Sequence, residues 1–544
     1  MNLSGARADP LQLSGRTERW GLAPTALLAG LVAVGLWLRL RGLSSEGFAD
    51  DEVHKWLAAN RYLSGDFGGD DVEHPMLMKL LAAGVAALPV RWAPETITRV
   101  PSAVAGALTI WATALLGRRL FGRTAGLIGA GLMAFSTTAI GYHRIAKEDV
   151  LLGLFLTLCM WCLAEAKAMA DGGRPQESRR WEVASAAALG AAFASKYFIF
   201  YFLIPVLSYV WLRSGSAWRV PFSRWLVLLG VALAVFLALN WAPLLPGSLD
   251  YMAAYIRGDR IGSDRGVSES ILFMGRLSGN LAFSRGEAPT PAWFYGAFAA
   301  FKFAPLTALF AASGVAYALW RRSPSHRIPI VWLAVFQAFT LVAGARYGRF
   351  FVSAMPPFVL LSAHAASLLA GWVSTRLSPV TSRAREALAG AAAGLLLVVP
   401  EARAAVAHAP HHRLYLNSLV GGDANIGWFL PHCDYFDAGV REALAWVAEH
   451  AEPGAEISSE VDWTVRFYAD RAGRRDVVST PILPGKGCAT GRPCYVIVQV
   501  GRLYLHNRAA LERLATRAPV HTERIRDQDV VRVYRLDPGE ALFP

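Results

Sequence analysis

Apolar runs rich in Leu, Ala, Val, Phe and Trp recur from about residue 22 to about residue 399, broken by short basic or Gly- and Pro-containing pieces. Each approaches the ~20 residues that a helix needs to cross a bilayer. The pattern predicts eleven spans, near 22–40, 98–116, 124–141, 150–168, 183–196, 198–212, 225–241, 303–320, 329–345, 350–372 and 386–400. After residue 400 the long runs stop, and acids, His and Asn appear. "DAGVREALAWVAEHA" (437–451) has helical spacing, whereas "CYVIVQV" (494–500) and "VVRVYRL" (530–536) read as strands. The expected fold is a polytopic α-helical membrane domain over residues 22–400, preceded by a cytoplasmic segment, 1–21. A soluble α/β domain follows at 401–544.

Composition agrees with that pattern and removes some functions. With 54% hydrophobic and 17% charged residues and a mean hydropathy of +0.33, the chain is not an ordinary soluble enzyme. The net charge of +13 would suit nucleic acid if it were pooled, but the basic residues come in small clusters between spans. Such clusters mark the cytoplasmic side. They fall at 117–123, 165–182, 213–224, 321–327 and 374–385, whereas segment 41–97 holds nine acids against five Lys and Arg. The N-terminus, with Arg7, Arg16 and Arg19, then lies inside, and the first run reads as a signal anchor. The expected location is a bacterial inner membrane with the C-terminal domain outside. "MLMKLLAAGVAALPV" (76–90) is apolar but has only 15 residues and contains Lys79. Counting it as a span would reverse every later loop, so it is expected to lie in the interface.

This topology gathers charge at one surface. Asp51 and Glu52 in "GFADDEVHKW" follow the first span, next to Asp50, and "EHPML" with His74 precedes Lys79. Arg144 and Asp149 flank the mouth of the second external loop, and Lys302, Arg346 and Arg349 lie outside. A carboxylate can deprotonate an acceptor hydroxyl or amine, and a cation can neutralise a departing phosphate. Asp51 has a plainer reading too, as an acid capping the helix that begins beside it.

"FADDEVHKW", "EHPMLMKLL" and "HRIAKEDVLL", in that order, resemble the signature of GT-C-type glycosyltransferases. The resemblance points to the protein O-mannosyltransferase and lipid A aminoarabinose transferase group. "NLAFSRGEAPTPAWFYGAFAAFKFAPL" (280–306) is similar to that group's aromatic stretch ending in Lys-x-Pro, and "HHRLYLNSLVGG" (411–422) to the segment after its last span. Three features depart from the pattern: Met76 after His74-Pro75, the additional Asp50, and Lys147-Glu148 before Asp149. The resemblance implies inverting transfer of a sugar from a polyprenyl-phosphate carrier to a protein, lipid or glycan acceptor on the outer face. Asp51 takes the general-base position, with Glu52 as partner of a cation or of the acceptor. Asp149 is a second acid shaping the site, and His74, Lys79, Arg144, Lys302 and Arg346 are candidates for holding the carrier phosphate or sugar.

The rival class is a transporter or flippase, which would place charges near span midpoints. His54 and His74 lie near the acids, but their spacing matches no compact zinc pattern; the expectation is that no cofactor is required, with a divalent metal as the alternative reading. External segment 242–302, with Arg257, Asp259, Arg260, Asp264 and Arg265, is long enough to serve as a lid. Cys488 and Cys494 bracket a short loop that an oxidising exterior would close with a disulfide.

Overall fold

The structure, a computed structural model, describes residues 20–49, 51–68, 73–213, 216, 218–256, 270–279, 288–321, 323–343, 346–377, 383–488 and 490–543. Arg7, Arg16, Arg19, Asp50 and the Arg257, Asp259, Arg260, Asp264 and Arg265 set lie outside the described residues. Helices occupy all eleven expected places. They are α1 (Leu22–Leu40), then, after α2 (Glu52–Leu63) and α3 (Leu77–Ala86), α4 (Pro94–Phe121) and the bent pair α5 (Arg123–Phe135) and α6 (Thr137–His143). Next come α7 (Glu148–Asp171), α8 (Pro175–Ser195), α9 (Leu203–Leu212) and α10 (Phe222–Leu239). After α11 (Ser248–Ile256), β1 (Ser270–Phe273), β2 (Arg276–Gly279) and α12 (Phe294–Phe301) follow α13 (Pro305–Arg321), α14 (Pro324–Ala343), α15 (Met355–Leu377) and α16 (Arg383–Ala407). Among the described residues, seven segments are long and apolar enough to cross a membrane, or eight if the bent pair is one span. Exposed Leu, Val, Phe and Trp on α1, α10, α13 and α16 face outward, as a lipid-facing surface requires.

The bend of 59° between α5 and α6 frees carbonyls that lipid could not satisfy. Arg39, at the end of α1 and fully buried, fills the break. Its guanidinium donates to Met133 O (2.7 Å), Ala134 O (3.3 Å) and Gly35 O (2.9 Å), and to His143 Nδ1 at 3.0 Å. Ser136 Oγ accepts from Ala139 N and starts α6. Facing glycines let α4 and α5 cross closely: a Cβ on Gly126 would stand 2.6 Å from Ala114 O.

The C-terminal domain is α/β, as its patterns indicate. Its five-stranded sheet has the order β4-β3-β5-β7-β6, with β3 (Glu456–Ser459), β4 (Val478–Pro481), β5 (Cys494–Gln499), β6 (His521–Ile525) and β7 (Gln528–Leu536). β3 runs parallel to β4 and β5, and β7 antiparallel to β5 and β6. α18 (Val440–His450) and α19 (Asp462–Arg471) follow the short α17 (Pro431–Tyr435), and α20 (Arg508–Leu514) precedes β6. Cys488 and Cys494 are disulfide-bonded.

The core of this domain does not stop at its own sequence. Phe48 and Val53, from the loop after α1 and from α2, are buried with Val440, Leu444, Val465, Ile497 and Val531. Phe48 packs edge-on against Phe467, its ring centroid 5.4 Å away, and Phe48 N donates to Tyr468 Oη at 2.6 Å. Tyr468 Oη in turn donates to Glu95 at the start of α4 (2.7 Å). The acidic loop is therefore clamped between the helical bundle and α19, with Asp51 between its two apolar anchors.

Candidate active site

Asp51 stands at the N-cap position of α2, yet its side chain makes no capping hydrogen bond. It turns to cations instead. Lys55 Nζ, one helical turn on, donates to Asp51 Oδ2 at 2.7 Å, Lys147 Nζ pairs with Oδ1, and His74 Nε2 is 3.5 Å from Oδ2. Lys55 also reaches Glu148 Oε1 at 3.0 Å. Burial alone would raise the Asp51 pKa, but Lys147, Lys55, His74 and Arg349 outweigh it and hold the carboxyl well below the ordinary carboxylate range. Asp51 keeps 18% exposure, and Lys55 has none.

The contact between Asp51 and Lys147 decides the topology of the first loops. Residues that touch lie on one side of a membrane, so an even number of crossings separates them. α4 and the bent pair α5–α6 already supply two, so α3 cannot be a third. α3 is a ten-residue helix with Leu77, Met78, Lys79, Ala82 and Ala83 buried, too short to span.

The other expected residues divide into two groups. Close to Asp51 stands His74, while Asp149 lies in the first turn of α7, next in sequence to Glu148. Asp149 is buried and accepts from Lys196 Nζ at 2.6 Å, and that ammonium lies over the rings of Phe198 and Phe350. The His74-Pro75 turn is fixed from behind, where Lys79 Nζ donates to His74 O (3.0 Å) and Met76 N to Asn240 Oδ1 (3.0 Å). Lys79 is thus a brace of this turn. Arg349 stacks over Tyr347 at 4.4 Å and adds to the positive field on Asp51; Arg346 is buried at the base of the same segment.

Glu52, Arg144 and Lys302 are drawn into the scaffold. Glu52 is fully buried, and its oxygens take Arg99 Nε (2.9 Å), Arg99 Nη2, Ala49 N (2.9 Å) and Ala146 N (2.7 Å). That ring of donors joins the loop after α1 to the loop between α6 and α7 and leaves the carboxylate no open side. Arg144 does not meet Asp149; it donates to the carbonyls of Leu38, Arg39, Arg41 and Gly42 and closes the C-terminus of α1. Lys302 is buried against Asp434 (2.8 Å) and Arg413 O (2.6 Å). With Glu46 on Arg413 (2.7 Å) and His411 (2.6 Å), it ties the segment after α16 to the loop after α1.

Lys55, Glu148 and Lys196 were not among the expected site residues. Lys55 had a signal, since an acid and a lysine four residues apart on a helix face each other. Lys196 had none, because its partner comes from another helix.

An apolar helical bundle with this charged cluster at one mouth, under an α/β domain anchored by the loop after α1, is the GT-C membrane fold. Residues 73–242 match the family described as dolichyl-phosphate-mannose-protein mannosyltransferase; the stretch includes His74, Lys147, Glu148, Asp149 and Lys196. The structure is similar to ArnT from Cupriavidus metallidurans in the apo state, at 15% identity over 94% of this chain and 98% of that one, with a TM-score of 0.53. ArnT from the same organism bound to undecaprenyl phosphate has the same identity and coverage and a TM-score of 0.49. The Archaeoglobus fulgidus oligosaccharyltransferase in the apo form matches at 14% identity over 88% of this chain and 69% of that one, with a TM-score of 0.47. No curated protein sequence matches the chain.

Proposed function

We propose that the chain is an inverting glycosyltransferase that moves a hexosyl or pentosyl unit from a polyprenyl-phosphate carrier to an acceptor on the outer face of a bacterial inner membrane. One observation carries this reading: Asp51 is an ionised, partly exposed carboxylate ringed by Lys147, Lys55, Arg349 and His74 at one mouth of the bundle. A base and counter-charges are thereby offered to one substrate at one mouth of the bundle. The family match over 73–242 supports a lipid-phosphate sugar as donor, and the fold supports a membrane enzyme.

In the reaction, the acceptor O–H or N–H donates to Asp51. Each carboxylate oxygen offers two lone pairs, so the lysines leave room for it. As the proton passes to Asp51, the acceptor atom bonds to the anomeric carbon from the face opposite the phosphate. The carbon–oxygen bond to the phosphate breaks, its electron pair stays on phosphate, and the configuration inverts. As the phosphate leaves on the far side of the carbon, the field of the cluster's fixed cations stabilises it without reorganising. Asp149, held by Lys196, shapes the neighbouring wall.

The test is transfer of label from a polyprenyl-phosphate sugar by purified protein. Asp51→Asn is expected to lose about 100- to 10,000-fold in rate, the usual worth of a general base. Wild-type rates in that variant would remove Asp51 as the base.

A further inference from the structure

Three ligand atoms, one each from Asp51, His74 and Glu148, lie within 4.8 Å of one another. Two carboxylates and an imidazole so close together are a set that Mn²⁺ or Zn²⁺ would accept. The space among them is already taken by positive charge that belongs to the chain. Lys55 Nζ bridges Asp51 Oδ2 (2.7 Å) and Glu148 Oε1 (3.0 Å), and Lys147 Nζ holds Asp51 Oδ1. These are not surface lysines with freedom to swing aside: Lys55 has no exposed side-chain surface and Lys147 only 2%. Lys55 comes from α2, in helical register with Asp51. Lys147 precedes α7, and the bond from the neighbouring Ala146 N to Glu52 fixes its backbone.

Among these four groups the charges also balance. Asp51 and Glu148 carry two negative charges, and Lys55 and Lys147 carry two positive ones. A divalent ion entering among the three donors would compete with both ammonium groups for the Asp51 carboxylate and stand beside the Lys55 Nζ that already faces Glu148 Oε1 at 3.0 Å. The donor set fits a metal, but the site around it does not.

We propose that Lys55 and Lys147 take the place of a divalent cation at this centre, so that the carrier phosphate is met by fixed ammonium charge and the protein works without a metal. The proposal rests on the transfer reaction inferred above for its consequence, though not for its geometry. Lys55 is a positioning residue that holds Asp51 and Glu148 together, and Lys147 supplies the charge beside the base.

Two measurements on the full chain purified in detergent test this separately. The first is Mn²⁺ uptake, followed by the electron paramagnetic resonance signal of free Mn²⁺. Wild type is expected to bind no Mn²⁺ at this centre. Lys147→Met is expected to bind one ion per chain, which His74→Ala in the same background removes; Lys147→Arg, which keeps the charge, should stay free of Mn²⁺. One Mn²⁺ per wild-type chain, lost on His74→Ala, overturns the proposal. So does a Lys147→Met protein that runs as wild type on gel filtration and still binds none.

The second measurement is sugar transfer in EDTA and with added Mn²⁺ or Mg²⁺. Wild-type rates within twofold of each other support fixed charge. A tenfold or greater loss in EDTA that Mn²⁺ restores overturns it. Should no protein transfer sugar under any condition, the proposed reaction fails, while Mn²⁺ uptake still decides whether the lysines hold the cation's place.

Discussion

Replacing Glu52 by Gln separates the scaffold from the chemistry in one residue. The carboxylate is fully buried and accepts four hydrogen bonds, two from Arg99 and one each from Ala49 N and Ala146 N. Gln keeps the shape but removes the charge. It also turns an NH2 group toward donors, either Arg99 Nη2 with Ala49 N or Arg99 Nε with Ala146 N. Breaking a buried ion pair from one side costs about 3–5 kcal/mol, because the partner is left charged and uncompensated. Here the lower end applies: Arg99 retains the carbonyls of Leu43, Glu46 and Gly47, and the Glu46 carboxylate still supports its charge. A loss of about 3 kcal/mol corresponds to about 3 °C for a chain of 544 residues unfolding together at ~2.1 cal/mol/K per residue.

The assay is the thermal midpoint of detergent-purified protein, read from the fluorescence of its 18 Trp, beside the transfer rate. Glu52→Gln is expected to lower both, because the Ala146 N bond that aims Lys147 is disturbed. Asp51→Asn is expected to abolish transfer with a smaller change in midpoint, since Lys55 keeps Glu148 as a partner. A Glu52→Gln protein with a wild-type midpoint and no transfer would refute this division, because Glu52 would then act in the chemistry.

Acid should reveal the depressed Asp51 ionisation. Stability from a carboxylate whose folded pKa is lowered is present in full above its unfolded value, about 3.9, and is lost as pH falls through the lower folded value. With His74→Ala in both, so that no imidazole faces the carboxylate, the midpoint difference between the protein that keeps Asp51 and Asp51→Asn is therefore expected to be constant from pH 7 to pH 5 and to shrink only below about pH 4; a difference that disappears near pH 6 would contradict the charge environment described. Lys302→Met leaves Asp434 buried without its ammonium. Burial already pushes the Asp434 carboxyl upward, so the acid takes up a proton and limits the loss to about 3 kcal/mol or less. Limited proteolysis should cut the segment 408–439 faster in that variant, and an unchanged cleavage rate would show that the pair does not tie the segment down. Lys196→Met and Asp149→Asn should each destabilise the protein, with the double variant recovering at least about 1 kcal/mol relative to their sum; additive midpoint shifts would mean the pair is not coupled.

The residues divide by whether their partners are near or far in sequence. Hydropathy and the distribution of arginines are local properties, and they placed all eleven helical segments, the shortness of α3 and the α/β character of the C-terminal domain. Asp51 was legible because it follows the first span on the acidic side, within a motif ordered along the chain. The partner of each charge was not. Lys147 lies 96 residues from Asp51 and Asp434 lies 132 from Lys302, and nothing in a local pattern selects one such pairing from the many that opposite charges allow. Glu52 and Arg144 show the same limit from the other side: at the membrane boundary they look as chemical as Asp51.

The amino-acid sequence by itself determined that this chain lies in a membrane, which loops share a face, and that an acid waits at that face, because transfer from water to lipid acts on each segment separately. Packing alone decided which acid stays open and which is sealed, because a buried charge must be matched within a few ångströms by whatever the folded chain brings there. Glu52 met Arg99 and two backbone amides and was closed off. Asp51, next to it, met lysines and kept 18% of its side-chain surface exposed.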